Sequence, residues 1–145
     1  MSYLGKWKFH SIGTVDDVTC ERVWLNAEEY MKSPMPYVDE TDEEAVADEL
    51  KERKKNVGML LEVCEDGKLY VLMPLPENVS KEEVEAAVKA GVIKVRDGMM
   101  TDDPLVWEDR DGELWVNMGY SDEFLQFSGE DEFLTMVTTR FERLQ

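Results

Sequence analysis

The chain has 145 residues, 43% of them hydrophobic, and carries 33 acidic against 16 basic side chains for a net charge of −17. This length supports one domain, residues 1–145, able to bury about 70% of its unfolded surface. So acidic a chain repels nucleic-acid phosphates and anionic lipid surfaces, which excludes direct nucleic-acid binding first of all.

No apolar run approaches the ~20 residues of a membrane span, so membrane insertion is not expected. The start, Met1-Ser2-Tyr3-Leu4-Gly5, has no basic stretch leading into an apolar one. The two cysteines, Cys20 and Cys64, lack CxxC spacing. Both features lead us to expect a reduced, cytoplasmic protein.

In chain order, residues 4–15 predict a first strand, with Trp7, Phe9 and Ser11 on one face and Lys8, His10 and Ile12 on the other. Gly13 marks a bend or bulge. Residues 18–25 are β-branched and aromatic and predict a second strand. Asn26-Ala27-Glu28-Glu29 is a capping box opening a short helix that ends at Ser33-Pro34. A second capping box, Thr41-Asp42-Glu43-Glu44, opens a helix to about Lys55, with acids in its first turn and Arg53, Lys54 and Lys55 in its last. Its thin apolar stripe (Ala45, Val46, Ala47, Leu50) predicts a surface helix.

From Val57 the period becomes two. Met59, Leu61 and Val63 share a face, Asp66-Gly67 turns the chain, and Leu69, Val71 and Met73 return until Pro74 and Pro76 stop the strand. Ser80-Lys81-Glu82-Glu83 is a third capping box, with Gly91 as the C′ residue of the helix it opens. Short strands follow at 92–96, 99–101, 105–109, 113–118 and 124–127, with turns at Asp97-Gly98 and Asp111-Gly112. Residues 132–144 predict one last strand. Three Asp-Gly turns between alternating runs indicate an antiparallel meander of about eight to ten strands with two or three helices.

The two ends belong together. In a closed up-and-down β-barrel the first and last strands are neighbours, because closure removes the sheet edges. A tryptophan on one and an arginine on the other then meet, ring against guanidinium. Gly5-Lys6-Trp7 and Thr138-Thr139-Arg140-Phe141-Glu142-Arg143 carry that signal. Together they resemble the calycins, the superfamily of lipocalins and intracellular fatty-acid-binding proteins. G-x-W opens the first strand in both groups, and the terminal run is similar to the closing strand of the fatty-acid-binding proteins. The resemblance covers about 20 residues. It implies a single antiparallel barrel flanked by helices, Gly5, Trp7 and Arg143 or Arg140 at its closed end, and a small hydrophobic ligand inside. In the fatty-acid-binding group an Arg, matched by Arg140, holds a ligand carboxylate with a Tyr two residues on; Glu142 stands there instead. The helix at 81–90 has no counterpart in either group.

Several residue types bear on a ligand. Arg140 is either a carboxylate clamp or a structural cation closing the barrel. Trp7 reads as a structural plug. Tyr70, Trp115, Met118 and Met136 join Arg140 as the expected lining, because aromatic and methionine side chains adapt to apolar ligands. His10, the single histidine, is expected to face solvent with no catalytic partner. No P-loop, G-x-G-x-x-G, G-x-S-x-G or HExxH is present. Asp109-Arg110-Asp111-Gly112-Glu113 fails as a calcium loop, because Trp107 takes the first ligand position. The expectation is non-enzymatic binding of a small hydrophobic ligand, anionic or not, in a barrel cavity, without metal or cofactor. The alternative is a ligand-free interaction module presenting acidic helices to a protein partner.

Overall fold

The computed structural model describes residues 3–16, 18–35, 38–76, 78–127 and 133–144. Eleven strands and three helices follow in chain order: β1 (Gly5–Val15), β2 (Arg22–Leu25), α1 (Ala27–Lys32), α2 (Glu43–Val57), β3 (Leu60–Val63), β4 (Lys68–Met73), α3 (Lys81–Lys89), β5 (Lys94–Arg96), β6 (Met99–Thr101), β7 (Leu105–Arg110), β8 (Glu113–Asn117), β9 (Phe124–Gln126), β10 (Leu134–Met136) and β11 (Thr139–Arg143). The strands form one antiparallel sheet, ordered β10-β11-β1-β3-β4-β7-β8-β9. On its margins β2 pairs with β1, and the β5–β6 hairpin joins through β6 to β4.

The sheet curls into a half-barrel. Among the described residues no ladder joins β9 to β10. The two ends are linked through one residue, Phe127, whose N–H donates to Leu114 O at 2.8 Å and whose carbonyl accepts from Thr135 N at 2.6 Å. Its ring is 1% exposed. The described residues thus form an antiparallel half-barrel sheet of eleven strands, where the sequence leads to a closed barrel of eight to ten.

The two termini meet as the sequence indicates. β1 lies between β11 on one side and β3 and β2 on the other, and Trp7 is directly opposite Arg143. The register slips between Phe9 and Ser11, so two residues of β1 face one of β11. This bulge bends β1 and lets it serve β3 near its start and β2 near its end. The inner face is filled by Trp7, Leu61, Val63, Leu69, Leu114, Val116, Phe127, Leu134 and Phe141, with Met118 and Met136 packed on them. Alternation along each strand puts these residues on one side, and burial of such apolar area is the main driving force.

The turns follow their chemistry. Asp97-Gly98 and Asp111-Gly112 both have positive φ at each residue (52° and 77°, 56° and 86°), the type I′ geometry that suits the twist of a hairpin. Asn26 caps α1 with a reciprocal box to Glu29, and Ser80 caps α3. The cap of α2 is Asp42, not Thr41, whose hydroxyl and N–H instead go to Asp39.

Several strands are shorter than the sequence predicts: β5 begins at Lys94 rather than 92, β8 and β9 each stop one residue early, and two differences have a clear cause. Residues 18–21 are not strand, because Asp16 Oδ1 accepts from the N–H groups of Val18 and Thr19 and folds the chain into a turn. The single last strand is two. Val137 sits at φ 56° and turns the chain between β10 and β11, and Gly13 N–H holds the turn through Thr138 O at 2.7 Å. Residue 132, the expected start of that strand, lies outside the described residues.

Candidate functional site

α2 carries two working faces, set by helical spacing. Glu49, Arg53 and Asn56 recur at i, i+4 and i+7 and turn toward α1. Arg53 is 2% exposed. Its Nη1 donates to Tyr30 O and Ser33 O, both at 2.8 Å, and to Ser33 Oγ at 2.9 Å; Nη2 donates to Pro34 O at 3.0 Å; Nε pairs with Glu49 at 3.1 Å. The guanidinium also lies over the Tyr30 ring at 5.3 Å. One buried cation thus satisfies the carbonyls at the C-terminal end of α1, where a positive charge is favoured. Asn56 Nδ2 adds a bond to the Tyr30 hydroxyl at 3.1 Å, and Tyr30 stacks on Phe9 of the sheet.

Asp48, Lys51, Glu52 and Lys55 recur at i, i+3, i+4 and i+7 on another face. There they border an open groove of about 790 Å³. Its other wall is the chain leaving β4: Pro74, Leu75, Pro76 and Asn78, with Val57, Gly58 and Lys54 at the end of α2. The prolines end the strand, since they offer no N–H to the ladder, and the chain departs from the sheet beside the helix. Gly58 touches Pro74 so closely that a β-carbon would collide with the ring. Three lysines against two acids make this groove locally cationic in a chain of net charge −17. Lys55 is tied to Glu52 at 3.2 Å.

Of the residues expected to line a barrel cavity, Met118 and Met136 share the inner face, packed on the core, and Tyr70, Trp115 and Arg140 are engaged elsewhere. Tyr70 lies beneath Arg96, whose guanidinium is 4.0 Å from the ring centroid and whose Nε pairs with Glu62 at 2.6 Å. Trp115 lies beneath Arg110 at 4.9 Å. Met118 and Met136 belong to the packed interior. Arg140 follows Thr139 and precedes the fully buried Phe141, so it points to the opposite face, where it stands over Trp24 at 3.8 Å and Phe133 at 5.4 Å. His10 is half-buried with its ring 4.4 Å from that of Phe133.

The closure residues do come together. Arg143 stands over the Trp7 ring at 4.3 Å and donates to Leu4 O at 2.8 Å, while Trp7 Nε1 donates to Tyr3 O at 3.0 Å. A β-carbon on Gly5, which has φ 116°, would lie 3.4 Å from Arg143 Nη1. Of the two candidate arginines, Arg143 covers Trp7.

Cys64 is half-buried, and its thiol is held above the usual range, first by burial and then by the negative charge of Glu62. Its carbonyl accepts from Trp107 Nε1 at 2.8 Å, so this indole is committed to the sheet. Among the described residues no group of three or more His, Cys, Asp or Glu side chains is placed to hold a metal, and no helix is long and apolar enough to cross a membrane.

Sequence reading missed Arg53 and the groove. The signals were present: a basic residue four after Glu49, and Pro74-x-Pro76 marking where the chain leaves the sheet beside a helix end. Neither pattern states which helix face meets which neighbour. No protein-family model matches the chain, and no curated protein or solved structure matches it.

Proposed function

We propose that the chain is a calycin-like binding protein that takes a small, mainly apolar ligand with an anionic head, without catalysis. The observation that carries this reading is the groove between α2 and Pro74, Leu75, Pro76 and Asn78, about 790 Å³ in volume. Small-molecule sites typically measure about 300–1,000 Å³ and combine apolar walls with few polar groups. Here Val57, Pro74, Leu75 and Pro76 receive the apolar body and Lys51, Lys54 and Lys55 the head. The site is displaced from the barrel interior expected from the resemblance, because side chains fill the inner face. The calycin part of the proposal rests on the neighbouring first and last strands and on the Arg143–Trp7 pair.

The test is a titration of the full chain with 8-anilinonaphthalene-1-sulfonate and a panel of fatty acids, alongside native mass spectrometry of the purified protein. One-site binding is expected, strongly reduced by Leu75→Asp and weakened for anionic but not neutral probes by Lys51→Glu. Absence of binding across the whole panel refutes the carrier reading and leaves the interaction-module alternative. Retention of binding in Leu75→Asp refutes this groove as the site.

A further inference from the structure

Six arginines lie among 33 acidic residues. Four have a carboxylate or carbonyl partner: Arg53 with Glu49, Arg96 with Glu62, Arg110 with Glu108 and Arg143 with Leu4 O. The side chains of the other two, Arg22 and Arg140, have no hydrogen bond or ion pair among the described residues. Both stand over one indole, that of Trp24, at 5.9 Å and 3.8 Å. Their coincidence is not an effect of sequence neighbourhood, since they lie on β2 and β11.

The fold builds the arrangement. The β1 bulge places Ser11 opposite Arg140, and Gly13 lies opposite Trp24. With no side chain on Gly13, the indole lies flat across the strand; a β-carbon there would meet the ring at 3.3 Å. Trp24 therefore reaches over β1 to Arg140. Phe133 covers the guanidinium at 5.4 Å and is itself backed by His10 at 4.4 Å. A ladder of Arg22, Trp24, Arg140, Phe133 and His10 results. The two rings hold the guanidinium carbon, while its N–H groups make no hydrogen bond among the described residues. No buried side-chain nitrogen or oxygen among the described residues lacks a partner, so these edges open to solvent.

We infer that this ladder is an oxyanion site, with Arg140 as the fork and Arg22 as a second cation, for the carboxylate or phosphate group of a small free molecule. A guanidinium held between two rings loses little freedom on forming two parallel charge-assisted bonds, and these are the strong ones. The net charge of −17 disfavours the surface of an anionic membrane as the source of that group. The site is separate from the groove beside α2 and does not depend on it.

The experiment is an NMR titration of the ¹⁵N-labelled full chain with sodium phosphate and, separately, sodium acetate, each against sodium chloride at matched ionic strength. The Trp24 indole and Arg140 Nε–H signals are expected to move saturably with one or both oxyanions, with a midpoint of millimolar order. The tighter of the two identifies the preferred group. Arg140→Lys weakens binding about tenfold or more, because an ammonium offers no planar fork. Arg22→Gln, on an exposed position, weakens it about threefold through lost charge. Shifts that merely follow chloride overturn the inference, as does movement confined to the lysines of α2. So does an Arg140→Lys chain that folds and titrates like the parent. Should that variant not fold, the parent titration together with Arg22→Gln decides.

Discussion

Arg53 replaces solvent at the end of α1 with four hydrogen bonds, so its removal strips the part-buried Tyr30, Ser33 and Pro34 acceptors of their donor and takes the buried cation from Glu49. Arg53→Ala is expected to lower stability by about 3–5 kcal/mol, read from urea unfolding, and Arg53→Lys to restore only part of it. Val137 presents the opposite case. A β-branched residue at φ 56° is strained, and it is 69% exposed, so its side chain contributes little packing. Val137→Gly should stabilise the protein by about 1 kcal/mol and raise the melting temperature by a few degrees; an unchanged or lower value refutes strain at this turn. The two thiols should differ in reactivity. Cys20 is exposed, whereas the Cys64 thiol is kept protonated by burial and Glu62. A maleimide should label Cys20 first, and labelling of Cys64 should rise steeply only as pH climbs above the ordinary cysteine range, since the thiolate is the nucleophile.

Among the elements, α3 stands apart. It has no buried residue and Val88 is 41% exposed, whereas β1 buries Trp7 to 1% and Phe9 to 7%. Amide hydrogen exchange should therefore be faster in α3 than in β1 and β11, because local opening follows the amount of buried contact. Equal protection in α3 and β1 would show that α3 opens only with the sheet. The elements also show where sequence reading succeeds. Asp-Gly turns, capping boxes and period-two runs are local, so strands and helices could be placed from them. The pairing of β1 with β11 was legible because a tryptophan near one end and arginines, Arg140 and Arg143, near the other are the residues that closing strands bring face to face. The break at Val137 was not, because a valine gives no sign of left-handed backbone; Gly13 and Thr138 hold it there. Nor did alternation reveal that Arg140 faces away from the packed interior. Which face of a strand is inner depends on what the partner strands bring.

At the scale of the molecule, a net charge of −17 acts against compactness through self-repulsion. Raising sodium chloride from about 20 to 500 mM shortens the Debye length from about 20 to 4 Å, and the melting temperature is expected to rise. A fall would mean that pairs such as Lys8–Glu142 and Lys6–Asp97 outweigh the general repulsion. The placement of β1 bears on how the molecule comes into being. It precedes the other ten described strands, yet one of its sides, from Trp7 to Ile12, waits for β11, the last of those strands in the chain. Until β11 follows, that side of β1 is a bare row of amides beside Trp7 and Phe9, and the seam between the two strands stays unsewn. The interval before β11 pairs is when the chain is most open to pairing with a neighbour of its own kind.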